Sequence, residues 1–166
     1  MSRAFISIGS NLGNPSTHVL QAIADIGSMP RSTLVVCSSL YWSAPIGYED
    51  QPDLINAVAE LETTLDPHVL LSMMHQIEAA HGRTRIVRNG PRTLDLDLLL
   101  YDELVHRDKE LTLPHPQMHE RAFVLLPLTE ISPHCRIPGY DLATRCLANC
   151  MGQKGGLFQA ARLGMP

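Results

Sequence analysis

The chain has 166 residues (18.3 kDa), of which 45% are hydrophobic and 18% charged, and its mean hydropathy is near zero. This composition predicts one globular domain over 1–166 and excludes a disordered or fibrous chain. The net charge of −4, with three Phe and one Trp, argues against a nucleic-acid partner, which needs a basic face and stacking aromatics. Because the sequence shows neither a long apolar run nor a signal-peptide pattern at 1–13, we expect a cytoplasmic protein without a membrane partner.

The first predicted elements are a strand and a helix. The apolar run at 4–9 is rich in β-formers and ends at a glycine, which is typical of a buried strand. Asn14 is a good N-cap and Pro15 suits the first helical position, so a helix is expected to follow. Its apolar residues recur at helical spacing until Gly27. Together they predict a first βα unit.

Two further strands and a second helix come next. Residues 33–42 and 54–65 carry the β-branched and alternating patterns of strands. The connection between them, 43–53, is long for a hairpin, and loops of that length in compact domains tend to be functional. Asp66 predicts the start of a second helix that ends near Gly82. A polar segment then leads to a strand whose sequence is RTLDLDLLLY.

The order β, α, β, β, α, β is typical of a ferredoxin-like α+β sandwich, in which helices pack on an antiparallel sheet. Beyond this unit we predict C-terminal additions. Residues 104–105 and 111–113 are expected to form a small hairpin, and 120–131 a helix interrupted by Pro127. The last dozen residues, 155–166, show little periodicity, so we expect them to be loosely held.

The cysteines and histidines do not form recognisable metal motifs. The four cysteines include no CxxC pair, and Cys146 and Cys150 could share one helix face. Small buried apolar residues are the favoured interpretation of these thiols. The seven histidines other than His115 form no HxxxH or HExxH pattern among themselves, so the sequence does not indicate a zinc site.

Two aspartates on the last strand of the predicted sandwich carry the strongest chemical signal. Residues two apart in a strand project from one face, so Asp95 and Asp97 point together with Cα atoms about 6.6 Å apart. Their repulsion, about 4 kcal/mol at about 4 Å and a dielectric constant of about 20, requires a positive partner. Mg²⁺ fits this need, and two ions are feasible beside a polyphosphate. An isolated pair of this kind is more typical of a strand with its polar face in water.

An arginine-rich segment directly precedes this strand. Arg83, Arg85, Arg88 and Arg92 lie within ten residues that include no acidic residue. Guanidinium groups match phosphate oxygens in bidentate geometry, so the combination favours a Mg–nucleotide site, although arginines alone are more often a solvated loop. The chain has no GxxxxGK[ST] or GxGxxG motif, so metal and side chains would have to hold the phosphates.

Two other polar residues are less specific. His115 lies between two prolines, where a structural role is more common than a catalytic one. Asn56 is a polar residue in apolar surroundings at the start of the third strand. It could serve the fold by a backbone hydrogen bond, or it could bind the edge of a polar heterocycle, and its surroundings in the sequence do not decide between the two.

Several blocks of the chain resemble the 6-hydroxymethyl-7,8-dihydropterin pyrophosphokinase family in order and spacing. Residues 90–99, GPRTLDLDLL, look like the signature of that family. The other similar blocks are 8–13, 50–57, 78–83 and 113–123. The resemblance covers roughly 3–140. It implies transfer of the β,γ-pyrophosphoryl group of ATP to the pterin hydroxymethyl oxygen, in folate biosynthesis, with AMP and the dihydropterin diphosphate as products.

The resemblance also implies roles for individual residues. Asp95 and Asp97 match the two magnesium-binding aspartates, with two Mg²⁺ expected, and Arg83 and Arg92 match arginines that contact the triphosphate. These four form the expected catalytic set. The expected partners are ATP and 6-hydroxymethyl-7,8-dihydropterin, bound by a monomer. The ATP-binding residues implied are Glu78, Arg83, Arg85, Arg92, Leu98, Leu111, Thr112, His115 and Arg121. The pterin-binding residues implied are Ser43, Ala44, Ile46, Leu54, Asn56, Asp95 and Phe123.

The chain departs from the family pattern at two positions. Leu54 stands where a second stacking aromatic often lies, so a weaker stack, by about 1 kcal/mol, is expected on one face of the pterin. Asn89 stands where some members have a tryptophan, in a loop that looks one residue shorter. The mobile loops of the family correspond to 43–53 and 83–91, which would close over the site as lids.

The sequence leaves two alternatives open. A different Mg²⁺-dependent nucleotidyl or phosphoryl transferase on the same fold would carry the same aspartates and arginines, because these residues do not decide which phosphorus is attacked. The second alternative is a ferredoxin-like module without enzymatic activity that binds RNA or a small effector. The acidic balance, the few aromatic residues and the paired aspartates all count against that module.

Overall fold

The computed structural model of the protein describes residues 1–12, 14–43, 54–82, 93–150 and 157–161. Its first seven elements are β1 Ser2–Ser10, α1 Pro15–Gly27, β2 Ser32–Cys37, β3 Leu40–Ser43, β4 Leu54–Thr63, α2 Pro67–Ala80 and β5 Asp95–Tyr101. They are followed by β6 His106–Arg107, β7 Thr112–Leu113, a 3₁₀ turn Met118–Glu120, α3 Ala122–Ile131, α4 Ala143–Cys150 and β8 Leu157–Ala161.

The strands form an antiparallel sheet with β1 and β4 at its centre. The order is β5-β1-β4-β3-β8, and β2 also pairs with β4. Helices α1 and α2 connect strands that are not neighbours, so each crosses over one face of the sheet. This arrangement confirms the ferredoxin-like α+β sandwich predicted from the order of elements.

Both faces of the sheet are buried, each against a different helix pair. Ile6 and Ile8 of β1 belong to the core shared with α1 and α2, whereas Phe5 belongs to a second core formed with α3 and α4. Successive side chains of a strand point to opposite faces, so one strand contributes to both cores. The C-terminal additions therefore cover the face that two helices alone would leave in water.

The first helix begins as predicted. Asn14 is its N-cap and accepts a hydrogen bond from the Thr17 N–H, and Pro15 occupies the first turn. Its buried residues are the predicted apolar ones, Val19, Ala22, Ile23 and Ile26. The local signals of a cap and an amphipathic stripe are sufficient here because they lie within one segment of chain.

The predicted single strand 33–42 is wrong, because the chain breaks at Ser38 and Ser39 into β2 and β3. Ser38 exchanges hydrogen bonds with the backbone of Val58, its hydroxyl accepting from the Val58 N–H at 2.9 Å. The Ser39 N–H donates to the Glu130 carboxylate of α3, at 3.0 Å and 3.1 Å to its two oxygens. These partners stabilise the break because they form hydrogen bonds with the polar groups of Ser38 and Ser39, which are not paired within the regular strands.

The C-terminal part also differs in detail from the expectations. Helix α3 continues through Pro127, which is buried, so packing outweighs the loss of one backbone N–H. The small hairpin forms between His106–Arg107 and Thr112–Leu113, two residues later in its first strand than predicted. Leu157–Ala161, in the stretch for which loose packing was expected, forms a strand paired with β3.

Cys146 and Cys150 fit the interpretation as buried apolar groups. Cys146 and Cys150 share the buried face of α4, and all four cysteines are free. Burial and the nearby Glu130 carboxylate raise the pKa of Cys37 to about 12. Within the described segments, no helix has the length and apolar character needed to cross a membrane.

Candidate active site

A polar cleft of about 390 Å³ lies beside the edge strand β5. Its walls come from α2, β5, the approach to β7 and the segment before α3. The lining residues are Leu71, His75, Asp95, Leu96, Asp97, Leu98, Glu110, Leu111, Thr112, His115, Pro116 and Arg121. Seven of these are residues that the sequence analysis assigned to the nucleotide or metal.

Asp95 and Asp97 reach one face of the sheet because of the pairing of β5 with β1. Asp95 lies opposite Gly9 and Asp97 lies opposite Ser7 in the register. Leu96, between them, belongs to the core on the opposite face. The Asp97 side chain is 36% exposed, so its carboxylate reaches the cleft while the strand stays anchored. The alternation predicted from the sequence is confirmed.

The strand that carries the aspartates is held from its open side by Glu78. This glutamate lies in the last turn of α2 and is buried, and its Oε2 accepts a hydrogen bond from the Leu96 N–H at 2.9 Å. An edge strand otherwise leaves such a donor unpaired. Glu78, expected among the ATP-binding residues, thus acts on the strand backbone between the two aspartates.

His115 brings a neutral imidazole next to the aspartates. Its Nε2 lies 4.0 Å from Asp97 Oδ1, and its Nδ1 accepts a hydrogen bond from the Gln117 N–H at 3.2 Å. Burial and the Arg121 guanidinium lower the pKa of His115 to about 4, while Asp95 opposes this shift. The ring proton therefore sits on Nε2, which makes this nitrogen a hydrogen-bond donor facing the cleft.

In metal-free buffer, we expect the free energy of unfolding to fall as the pH drops from 6.5 toward 4. In that window the unfolded His115 binds a proton and the folded one does not, so acid favours unfolding by at most about 1.4 kcal/mol per pH unit. Urea unfolding across the window measures this slope. His115→Gln should reduce it, and identical slopes in both proteins would contradict the assignment.

A row of residues crosses the sheet next to Asp95. Gly9 lies between Asp95 on β5 and Asn56 on β4, and Asn56 lies opposite Tyr41 on β3. Directly paired residues share a face, so the Asn56 amide projects on the aspartate side. Asn56 is buried, and a Cβ added at Gly9 would lie 2.7 Å from its Oδ1. The absence of a side chain at Gly9 therefore makes room for the amide.

Phe123 and Arg121 lie next to each other where α3 begins. The Arg121 guanidinium carbon is 5.5 Å from the centre of the Phe123 ring, a cation–π contact, and the guanidinium also donates to Gln117 Oε1. Phe123 packs against the second core, on the face of the sheet to which the Asn56 amide points. Leu54, half-buried, begins β4.

Several predicted site residues lie outside the described part of the chain: Ala44, Ile46, Arg83, Arg85, Asn89 and Arg92. Ser43 is described by its backbone only, which pairs with Leu54. The expectations for these residues stay predictions.

Besides Leu96, whose side chain belongs to the core, the sequence analysis missed four residues of the cleft. Leu71 and His75 are one turn apart on α2, a spacing that puts them on one side of the helix. Glu110 and Pro116 had no distinguishing signal. A larger apolar groove of about 650 Å³, between α1 and β2, includes Leu20, Ile23 and Leu34, and none of the predicted site residues lines it.

The fold and the cleft define the class of the protein: a ferredoxin-like α+β sandwich with paired carboxylates, a histidine and an arginine around a polar cleft at the sheet edge. Comparisons with known proteins agree with this class. The family model of 7,8-dihydro-6-hydroxymethylpterin-pyrophosphokinase matches residues 5–133.

Curated relatives carry the name 2-amino-4-hydroxy-6-hydroxymethyldihydropteridine pyrophosphokinase. That of Haemophilus influenzae is 44% identical over 144 residues, covering 87% of this chain and 90% of its own. That of Bacillus subtilis is 46% identical over 128 residues, covering 77% of each chain. A Plasmodium falciparum HPPK-DHPS crystal structure matches the fold with a TM-score of 0.70 at 13% identity, over 90% of this chain and 43% of that one. The chain belongs to the 7,8-dihydro-6-hydroxymethylpterin-pyrophosphokinase family.

Proposed function

We propose that the cleft beside β5 is the site at which this chain carries out the reaction of its family. The chain is an enzyme that transfers the pyrophosphoryl group of ATP to the hydroxymethyl group of 6-hydroxymethyl-7,8-dihydropterin in folate biosynthesis. The observation that carries the site assignment is the meeting of Asp95, Asp97, His115 and Arg121 around one cleft.

The two aspartates suit a hard divalent cation. Their carboxylates lie on one face of β5 and line the cleft, and oxygen donors of this kind are what Mg²⁺ binds. Asp95 and Asp97 would hold Mg²⁺, which neutralises the triphosphate when bound, and we propose two ions. The bond from Leu96 to Glu78 supports this role, because it keeps the strand between the two carboxylates in place.

Cationic and donor groups complete the nucleotide site. Among the described residues that line the cleft, Arg121 supplies a guanidinium group. The neutral His115 directs its Nε2–H toward the same space. Both suit phosphate oxygens. Leu98, Leu111 and Thr112 line the cleft and would contact the nucleotide. Arg83, Arg85 and Arg92 are proposed from the resemblance alone to contact the triphosphate.

The pterin is proposed to bind on the aspartate face of the sheet. The Asn56 amide is buried on this face and has the donor and acceptor chemistry that would bind the polar edge of the ring. Phe123 would stack on one ring face and Leu54 would contact the other. Asp95, opposite Gly9 in the same row, would then lie next to the hydroxymethyl group. Ser43, Ala44 and Ile46 are proposed from the resemblance to line this pocket.

The reaction needs no protein nucleophile. The pterin hydroxyl oxygen attacks the β-phosphorus of ATP, the bond to the α-phosphate oxygen breaks, and AMP leaves. The residues of the chain bind and orient both substrates and offset the negative charge, which supplies most of the rate in phosphoryl transfer. A monomer is sufficient, since every proposed contact comes from one chain.

The reaction is tested by incubating the protein with ATP, Mg²⁺ and 6-hydroxymethyl-7,8-dihydropterin and following both products by mass spectrometry. AMP together with a pterin that has gained two phosphates is the expected result. ADP with a monophosphorylated pterin would instead indicate attack at the γ-phosphorus and would overturn the reaction type. A control without pterin measures ATP hydrolysis.

A further inference from the structure

A cluster of two histidines and one aspartate lies on the surface, outside the residues that line the cleft beside β5. His68 is in the first turn of α2, and His106 and Asp108 are in the hairpin that begins with β6. The His68 Nε2 lies 2.6 Å from Asp108 Oδ2, and the His106 Nε2 lies 2.7 Å from the same oxygen. Two imidazoles from separate elements thus converge on one carboxylate oxygen.

We propose that His68, His106 and Asp108 form a binding site for a divalent transition-metal ion of the zinc class. Each residue contributes one ligand atom, and these three atoms all lie within 4.8 Å of one another. Ligands at about 2.0 to 2.2 Å in a tetrahedral site are about 3.3 Å apart, so the two short contacts need to open by about 0.6 Å to admit an ion. The two imidazole ligands favour a transition-metal ion such as zinc, nickel or copper, whereas Mg²⁺ prefers a site made of oxygen ligands.

The aspartate is already held in position for this role. Its second oxygen, Oδ1, accepts hydrogen bonds from the Glu110 and Leu111 N–H groups, both at 2.8 Å. Such partners of a metal-binding carboxylate fix its orientation.

The approach to the cluster is open. The side chains of His68, His106 and Asp108 are 42%, 35% and 37% exposed, so water can complete the coordination of an ion. The two imidazole rings are 5.2 Å apart and nearly perpendicular, which lets both Nε2 atoms face one point without stacking. The ligands are separated by 38 residues between His68 and His106, so no local histidine motif could indicate them.

A bound ion would connect α2 to the wall of the cleft. Glu110, Leu111 and Thr112, in the same hairpin as two of the ligands, line that cleft. The ion would therefore fix the hairpin against α2 and stabilise the folded chain, because it binds the folded state in preference to the unfolded one.

The test is a titration of the full, untagged chain with Co²⁺ alone as the probe, in excess Mg²⁺ to occupy the carboxylates of the cleft. We expect one Co²⁺ per chain with visible d–d absorption and without the near-ultraviolet bands of thiolate ligation. His106→Gln and His68→Gln should each weaken binding at least about tenfold, as expected for loss of a ligand. His134→Gln, at an exposed histidine outside the cluster, should leave it unchanged.

Stability provides a second readout that does not involve turnover. Zn²⁺ should raise the Tm of the wild-type chain and of His134→Gln, but not that of His106→Gln, whose Tm without metal reports whether it folds. Absence of Co²⁺ binding in the millimolar range would overturn the proposal. Co²⁺ binding that persists unchanged in both His106→Gln and His68→Gln would overturn the proposal as well. Neither outcome bears on whether the chain is a pyrophosphokinase.

Discussion

Asp97→Asn is expected to reduce turnover at least about a thousandfold while leaving the chain folded. The amide has the size of the carboxylate but no charge, so the site loses half of the negative charge that would bind Mg²⁺. The side chain is 36% exposed and lies in a strand paired with β1, so the fold does not depend on it. The measurement is kcat at a series of Mg²⁺ concentrations, with far-ultraviolet circular dichroism as the check on folding.

The matched control for this substitution is Glu62→Gln. Glu62 is an exposed carboxylate on β4, opposite Arg3 and Thr33 at the other end of the sheet. The Glu62→Gln substitution removes the same charge at a position outside the cleft, so the kcat of this variant should match that of the wild type. An unchanged kcat in Asp97→Asn, or partial loss in both variants alike, would argue against a metal-binding role for Asp97.

Gly9→Ala is expected to lower kcat/KM for the pterin about 10- to 100-fold, with little change in the KM for ATP. The new methyl would lie 2.7 Å from Asn56 Oδ1, a separation that real contacts do not allow, so the amide must move. Loss of one or two hydrogen bonds to the ring corresponds to about 1.5 to 3 kcal/mol. The substitution should also cost about 1 to 3 kcal/mol of stability through overpacking. Steady-state kinetics with each substrate varied separates the two effects.

The chain offers a matched control in Gly27→Ala. A Cβ at Gly27 would meet Leu34 at an ordinary 3.7 Å, and this position is at the end of α1. The kcat/KM for the pterin should be unchanged in Gly27→Ala. A double-mutant cycle tests the route of the effect: if Gly9→Ala acts through Asn56, it should add little to Asn56→Ala. Full additivity of the two losses would show that Gly9 acts independently of the amide.

Local signals predicted the elements whose determinants are local. The cap and apolar stripe of α1 lie within Asn14 to Ile26, and the alternation of aspartate and leucine in β5 lies within seven residues. The break between β2 and β3 is different, because the groups that satisfy Ser38 and Ser39 are Val58 and Glu130, far along the chain. The residue pattern of 33–42 does not depend on these distant partners, so it could not predict the break.

The site shows the same division. The paired aspartates follow from a two-residue repeat, so the sequence indicates both the residues and their common direction. The bond from Glu78 to Leu96, the space above Gly9 for Asn56, and the His68–His106–Asp108 cluster each join residues from different elements. Pairing register and helix packing bring them together, and neither can be worked out from spacing.

By itself the sequence determined the succession of strands and helices up to β5 apart from the break between β2 and β3, the family, and the carboxylates and arginines that suit a metal–nucleotide substrate, because these depend on residue type and short spacing. The tertiary structure alone decided which polar groups meet. It placed Asn56 over Gly9, gave His115 a half-buried neutral ring next to Asp97, and directed two distant histidines to one aspartate. The physical reason is that hydrogen bonding, burial and charge interactions act over a few ångströms in space, whatever the separation along the chain.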